Sequence, residues 1–97
     1  MDSIKQNRLL ATFYDIDETE YTNGQVKVID QALGKEIKFK GLFLTPFNAV
    51  SPPAVLYTVS NTADEMMKVD DQVDTIRLRV INNGVTQDIG FTLVVFG

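Results

Sequence analysis

Thr75-Ile76-Arg77-Leu78-Arg79-Val80-Ile81-Asn82-Asn83-Gly84-Val85-Thr86-Gln87-Asp88-Ile89-Gly90-Phe91 sets two alternating apolar runs on either side of an Asn-Gly pair. Asn-Gly tolerates the two positive-φ positions of a tight hairpin turn, so this arrangement is the strongest short-range hairpin signal a sequence can carry. With Asn83 and Gly84 at the turn, counting outward pairs Leu78 with Ile89 and Ile76 with Phe91 on one face, and Arg79 with Asp88 on the other. A slip of one residue would set Leu78 against Gln87 and Arg79 against Thr86, so side-chain pattern and turn chemistry select the same register. The stretch predicts an all-β chain closed by a C-terminal hairpin.

Strand signals recur upstream with little to suggest helix. Residues 7–16 are apolar on both faces, Leu9/Ala11/Phe13 and Leu10/Thr12/Tyr14/Ile16, and an acidic connection through Asp15, Asp17, Glu18 and Glu20 leads to the turn pair Asn23-Gly24. A second strand starts near Gln25. Its Val26 and Val28 are expected to meet Ile37 and Phe39 of a third strand across a tight hairpin at Ala32-Leu33-Gly34-Lys35, with Gly34 supplying positive φ. Strand three continues as Gly41-Leu42-Phe43-Leu44, a continuous apolar run that predicts burial on both faces, by the fold or by another chain.

Pro46 and Pro52-Pro53 bracket a loop, because proline cannot donate to a ladder. Ala54-Val55-Leu56-Tyr57-Thr58-Val59 follows as strand four, with Val55, Tyr57 and Val59 on its more apolar face. The connection over 60–74 is the longest and is expected to cross between sheets. Within it Thr62-Ala63-Asp64-Glu65 matches a capping box, which predicts one short helical turn near 62–68. Leu93-Val94-Val95-Phe96 runs apolar to the last residues and is expected to be anchored in a sheet. Short strands punctuated by Gly, Pro and Asn read as a sandwich or small barrel, and the preferred expectation is a small antiparallel β-sandwich of about six strands, jelly-roll or Greek-key like. At 97 residues it is a single domain, 1–97.

Composition narrows the function. There is no cysteine and no histidine, which excludes disulfides, thiolate nucleophiles, Cys/His zinc sites and Ser-His triads. The N-terminus Met1-Asp2-Ser3-Ile4-Lys5 lacks the apolar core of a signal peptide and no stretch reaches bilayer-spanning length, so a soluble chain made in a cytoplasm, with no membrane partner, is expected. Net charge is −4 and the nine basic residues are dispersed, which disfavours a nucleic-acid partner. Lys38 and Lys40 share a strand face with Glu36 and read as a solvated surface.

Asp15, Asp17, Glu18 and Glu20 are the best oxygen cluster for a hard cation. As an EF-hand loop they fail, with Glu20 where glycine is required and Val26 where a bidentate acid is required. A solvated turn is the preferred reading, as it is for the second acidic stretch, Asp64, Glu65, Asp70, Asp71 and Asp74, which would also suit docking to a basic partner. Carboxylate pairs for glycoside hydrolysis are inevitable among 13 acids, but no tryptophan is present to line a sugar groove. Tyr14, Tyr21 and Phe47 are the aromatics placed near strand ends or loops where a ligand would reach them, and the other aromatics read as core. The isolated glycines form no phosphate loop. Met66-Met67 reads as a cover over one end of the sandwich.

No nucleophile, base and oxyanion donor can be named together, so no enzymatic activity, cofactor or metal is expected. Apolar residues on both faces of strand one and at 41–44 exceed what one small domain can hide. The expected function is that of a structural or assembly protein working through protein–protein contacts as a homo-oligomer or part of a larger particle. By analogy of architecture this means a virion component, located in the virion: a capsid, vertex, cement or tail protein. Leu10, Leu42, Phe43 and Phe47 are the interface candidates. The alternative is a non-catalytic small-molecule or carbohydrate-binding β-sandwich module.

Overall fold

The computed structural model describes residues 10–62 and 72–97. Within them are six strands: β1 (Ala11–Tyr21), β2 (Val26–Lys38), β3 (Gly41–Phe47), β4 (Ala54–Ser60), β5 (Gln72–Ile81) and β6 (Gln87–Phe96). All pairings are antiparallel, in two three-stranded sheets of order β1-β6-β3 (sheet A) and β2-β5-β4 (sheet B). Successive strands step from one sheet to the other at every link except β4 to β5, the winding of a jelly roll reduced to six strands.

The hairpin expected at Asn83-Gly84 does not form. Strands β5 and β6 are the centres of opposite sheets, so Ile76, Leu78 and Val80 face Ile89, Phe91, Leu93 and Val95 across the sandwich instead of standing beside them. All seven are buried. Each stripe thus buries its apolar face against the other, which side-by-side pairing in one sheet would not achieve. Neither Asn83 nor Gly84 adopts the positive φ of a type I′ turn. Arg79 accordingly lies in sheet B between Val28 and Leu56, and Asp88 lies in sheet A beside Glu20.

Other local expectations shift for the same reason. Strand β2 runs unbroken through Ala32–Lys35, and its Val26 and Val28 pair with Ile81 and Arg79 of β5. Gly34 does hold positive φ, +77°, but it serves an irregularity between Ala32 and Ile37 rather than a turn. The acidic residues 15–20 belong to β1 itself, which is interrupted between Ile16 and Thr19 where it pairs with Phe91 and Ile89. The connection after β4 returns to the adjacent β5 within sheet B and does not cross between sheets. The capping box, the helical turn beyond Thr62, Met66-Met67 and Leu9 lie outside the described residues.

The link that replaces the hairpin is organised by a buried polar pair. Asn82 is fully buried, and its Nδ2 donates to the carbonyls of Tyr21, Thr22 and Val85 at 3.1, 2.9 and 2.9 Å. Its Oδ1 accepts from Gln87 Nε2 at 3.0 Å. Gln87 in turn accepts from the Val50 and Ser51 amides at 2.6 and 3.0 Å and donates to the Ser51 carbonyl at 2.7 Å. Two side chains therefore satisfy backbone groups from three separate loops, as burial demands. Gly84 is needed here for room, since a Cβ on it would lie 2.8 Å from Ser51 Oγ.

The sheets meet differently along their two flanks. Between β1 and β2, Tyr14 Oη donates to the Leu33 carbonyl at 2.8 Å, and Lys35 Nζ donates to Thr12 Oγ1 at 3.1 Å. Lys27 Nζ donates to the Glu20 carbonyl at 2.6 Å and to Thr19 Oγ1 at 3.1 Å, and lies 4.3 Å from the centre of the Tyr21 ring. Between β3 and β4 no side-chain hydrogen bond spans the gap among the described residues, and a cleft of about 270 Å³ opens there, lined by Leu42, Leu44, Pro46, Val55 and Tyr57 with Leu78 at its base.

Candidate interaction surface

Strand parity makes the outer face of sheet A apolar. Central β6 turns Ile89, Phe91, Leu93 and Val95 inward, which leaves Gly90, Thr92, Val94 and Phe96 on the outer side. The ladders then fix their neighbours: Phe13 and Phe43 flank Val94, Ala11 and Gly41 flank Phe96, Asp15 and Thr45 flank Thr92, and Phe47 lies beside Gly90. Phe43 meets Phe96 edge to face with ring centres 5.4 Å apart. Phe13 and Phe43 remain 69% and 67% exposed, far more than packing within one chain would leave on two phenylalanines.

The four interface candidates separate on this framework. Phe43 stands near the middle of the outer face, and Leu10, at the foot of β1, is 64% exposed with its carbonyl accepting from the Gly97 amide at 3.0 Å. Phe47 is 40% exposed and lies over Gly90, where a Cβ would come within 2.3 Å of its ring. Leu42 pairs with inward-facing Val95 and packs half-buried against the core. The continuous apolar run 41–44 is thus divided by the pleat, Leu42 and Leu44 inward and Phe43 outward.

Toward the Asn82 end the same face becomes acidic, with Glu20 directly opposite Asp88. Glu18 accepts a hydrogen bond from Asn48, which holds a left-handed φ of 62°. No three acidic side chains converge as metal ligands among the described residues. Tyr14 and Tyr21, expected within reach of a ligand, are instead occupied in the β1/β2 flank, Tyr14 by its bond to Leu33 and Tyr21 by complete burial. Burial pushes the Tyr21 phenol up, an effect the Thr19 hydroxyl partly offsets.

The outer face of sheet B has a different character. Arg77 donates to both carboxylate oxygens of Asp30 at 2.7 and 3.0 Å, holding that carboxyl below its usual range and raising the guanidinium. Arg79 separates Val28 from Leu56, so apolar side chains alternate with charge rather than adjoining. At the base of β4, Asp74 accepts from the Thr62 hydroxyl at 2.6 Å and from the Thr75 hydroxyl at 2.9 Å, and these bonds hold its carboxyl low.

Sequence reasoning missed Phe13, Val94 and Phe96 as surface residues and Asn82 and Gln87 as the buried polar pair. The signal for the first group was present in β6, whose Phe91–Phe96 run is apolar on both parities; nothing local distinguished Asn82 from Asn83. Compared with known proteins, the chain matches no family model, no curated protein and no solved structure.

Proposed function

We propose that this chain is a non-catalytic structural subunit that joins a protein assembly through the outer face of sheet A. The observation that supports it is the contiguous row Phe13, Val94, Phe43, with Phe96 adjoining, in which two phenylalanines are two-thirds exposed. Contiguous apolar surface of this kind marks interaction sites, because each exposed aromatic forgoes about 2–3 kcal/mol of burial. The acidic border at Asp15, Glu20 and Asp88 supplies a polar rim that favours a partner with basic groups at matching positions. A virion component, as capsid, vertex, cement or tail protein, is the setting this reading favours. Its support is analogy, since jelly-roll windings recur in capsid proteins.

The test is incorporation. Expressed with the products of neighbouring genes, the parent chain is expected in a large sedimenting particle, and Phe13→Asp with Phe43→Asp is expected to leave a folded chain outside it. Unchanged incorporation of that double variant would remove the outer face from the assembly. The β3/β4 cleft supports a second reading, a non-catalytic module for a small ligand. Its lining is apolar, which suits a hydrophobic molecule better than a sugar. That reading expects a monomer carrying a bound molecule that Leu44→Trp displaces.

A further inference from the structure

An open sandwich of two three-stranded sheets has four edge strands, and each is a template for unwanted pairing unless something blunts it. In β1 the blunting devices are an irregularity after Ile16 and the charges of Asp15, Asp17, Glu18 and Glu20. In β2 they are the irregularity between Ala32 and Ile37 with Lys27, Asp30, Lys35, Glu36 and Lys38. Strand β3 carries Pro46, which removes a donor. Strand β4 has none of these. Ala54-Val55-Leu56-Tyr57-Thr58-Val59-Ser60 holds no charge, proline or glycine, and its pairing with β5 is regular from Ala54–Ile81 to Ser60–Thr75.

Its side chains also wait for cover. Val55, Tyr57 and Val59 face inward, as their partners Val80, Leu78 and Ile76 do, yet Tyr57 is 48% and Val59 39% exposed because β4 overhangs the open flank. The segment is close to a palindrome about Tyr57. Valines stand two places away on each side, the small residues Ala54 and Ser60 three places away, and Leu56 and Thr58 adjoin it. An antiparallel pairing of the strand with itself sets 54 against 60, 55 against 59 and 56 against 58. Every pair then joins residues of the same parity, so inward side chains meet inward ones.

We infer that β4 is the pairing edge for a second copy of this chain, related by a two-fold axis through Tyr57, so that the two B sheets merge into one continuous six-stranded sheet. The occupant is a second copy because the edge matches its own reverse in size and polarity and has no charge for a different partner to answer, and a two-fold contact requires that self-complementarity. Pairing supplies the free edge with hydrogen bonds and covers Tyr57 and Val59 together. The inference does not rest on the aromatic face of sheet A, which lies on the other sheet.

The absence of cysteine makes the test direct. Opposed Cα atoms in an antiparallel pair lie about 4.5–5.5 Å apart, within disulfide reach. Under mild oxidation Tyr57→Cys is expected to run at twice 10.8 kDa on a non-reducing gel, and Val50→Cys, on an exposed loop, to remain a monomer. Sedimentation of the unmodified chain is expected to show a concentration-dependent dimer. Leu56→Lys with Thr58→Lys is expected to abolish it, and Leu56→Glu with Thr58→Lys to restore it, since only the stated register sets position 56 of one copy against 58 of the other. Equal cross-linking at 50 and 57, identical behaviour of the two double variants, or a monomer at all concentrations overturns the inference. Loss of the dimer in Phe43→Asp with retention in the β4 double-lysine variant assigns association to the aromatic face and overturns it too.

Discussion

Along the flank of β1 and β2, Tyr14, Lys27 and Lys35 reach from one sheet to the other, whereas along the flank of β3 and β4 no described side chain makes such a bond. The closed flank carries polar residues at its inward positions, Thr12 and Thr19 on β1 and Lys27 and Gln31 on β2, whereas the inward positions of β3 and β4 are apolar. The polar bridges keep solvent from Tyr21 and Leu33, so the closed flank belongs to the core. Without bridges, Tyr57 and Val59 stay within reach of solvent although they point inward. Sealing the rim, and not the hydrophobicity of the inner stripe alone, decides whether a small sandwich buries its edge residues or offers them to another molecule.

The widest separation between the flanks is expected from truncating their tyrosines. Tyr21→Ala removes a fully buried ring and is expected to cost about 3–5 kcal/mol. Tyr57→Ala, measured at concentrations where the chain is monomeric, is expected to cost about 1–2 kcal/mol, because its ring is half hydrated already. Urea melts giving equal losses would show that the cleft closes in solution and that the two flanks are alike.

A smaller effect sharpens the role of the bridges. Tyr14→Phe keeps the ring and deletes only the bond to Leu33, so a loss of about 1 kcal/mol is expected, together with faster amide exchange along β1 and β2 but not along β3 and β4. A neutral substitution would mean that the closed flank is held by packing alone.

The smallest effect is expected with acid. The carboxyls of Asp30 and Asp74 are held below their unfolded range, so whatever stability they add is present above about pH 4, near the unfolded value, and fades as pH falls through their folded values. The Asp30 carboxylate is half exposed and Asp74 is only partly covered, so the acid limb of the melting curve is expected to be shallow in the parent and slightly shallower in Asp30→Asn. A steep limb that Asp30→Asn abolishes would place more weight on the Arg77 pair than its exposure warrants.

Strand identity was legible because period-two alternation is a local property. Residues 75–80, 87–96, 41–44 and 54–59 all fall in strands. Partnership was not legible. Asn83-Gly84 carries the local signal for a hairpin, but burying the stripes of β5 and β6 against each other outweighs it, and no local residue reports that competition. Gly34 was legible as a positive-φ position yet not as an irregularity within one strand, since the same residue serves either. For the surface, two-sided apolarity pointed to Leu10, Phe43 and Phe47. The pleat that turned Leu42 inward depends on where the ladder with β6 begins.

The clasp of Asn82 and Gln87 has a kinetic consequence. Its partners come from the turn after β1, the loop after β3 and the link between β5 and β6, and its formation therefore needs the Tyr21 end of β1 beside the Gln87 end of β6, residues far apart in the sequence. Such distant pairings make folding slow. A group that closes after the ladders have met contributes little to the transition state, so its removal is expected to raise the unfolding rate and hardly change the folding rate. On that order of events Asn82→Ala is expected to shorten the lifetime of each folded molecule, read as the unfolding rate in denaturant jumps, more than it delays folding.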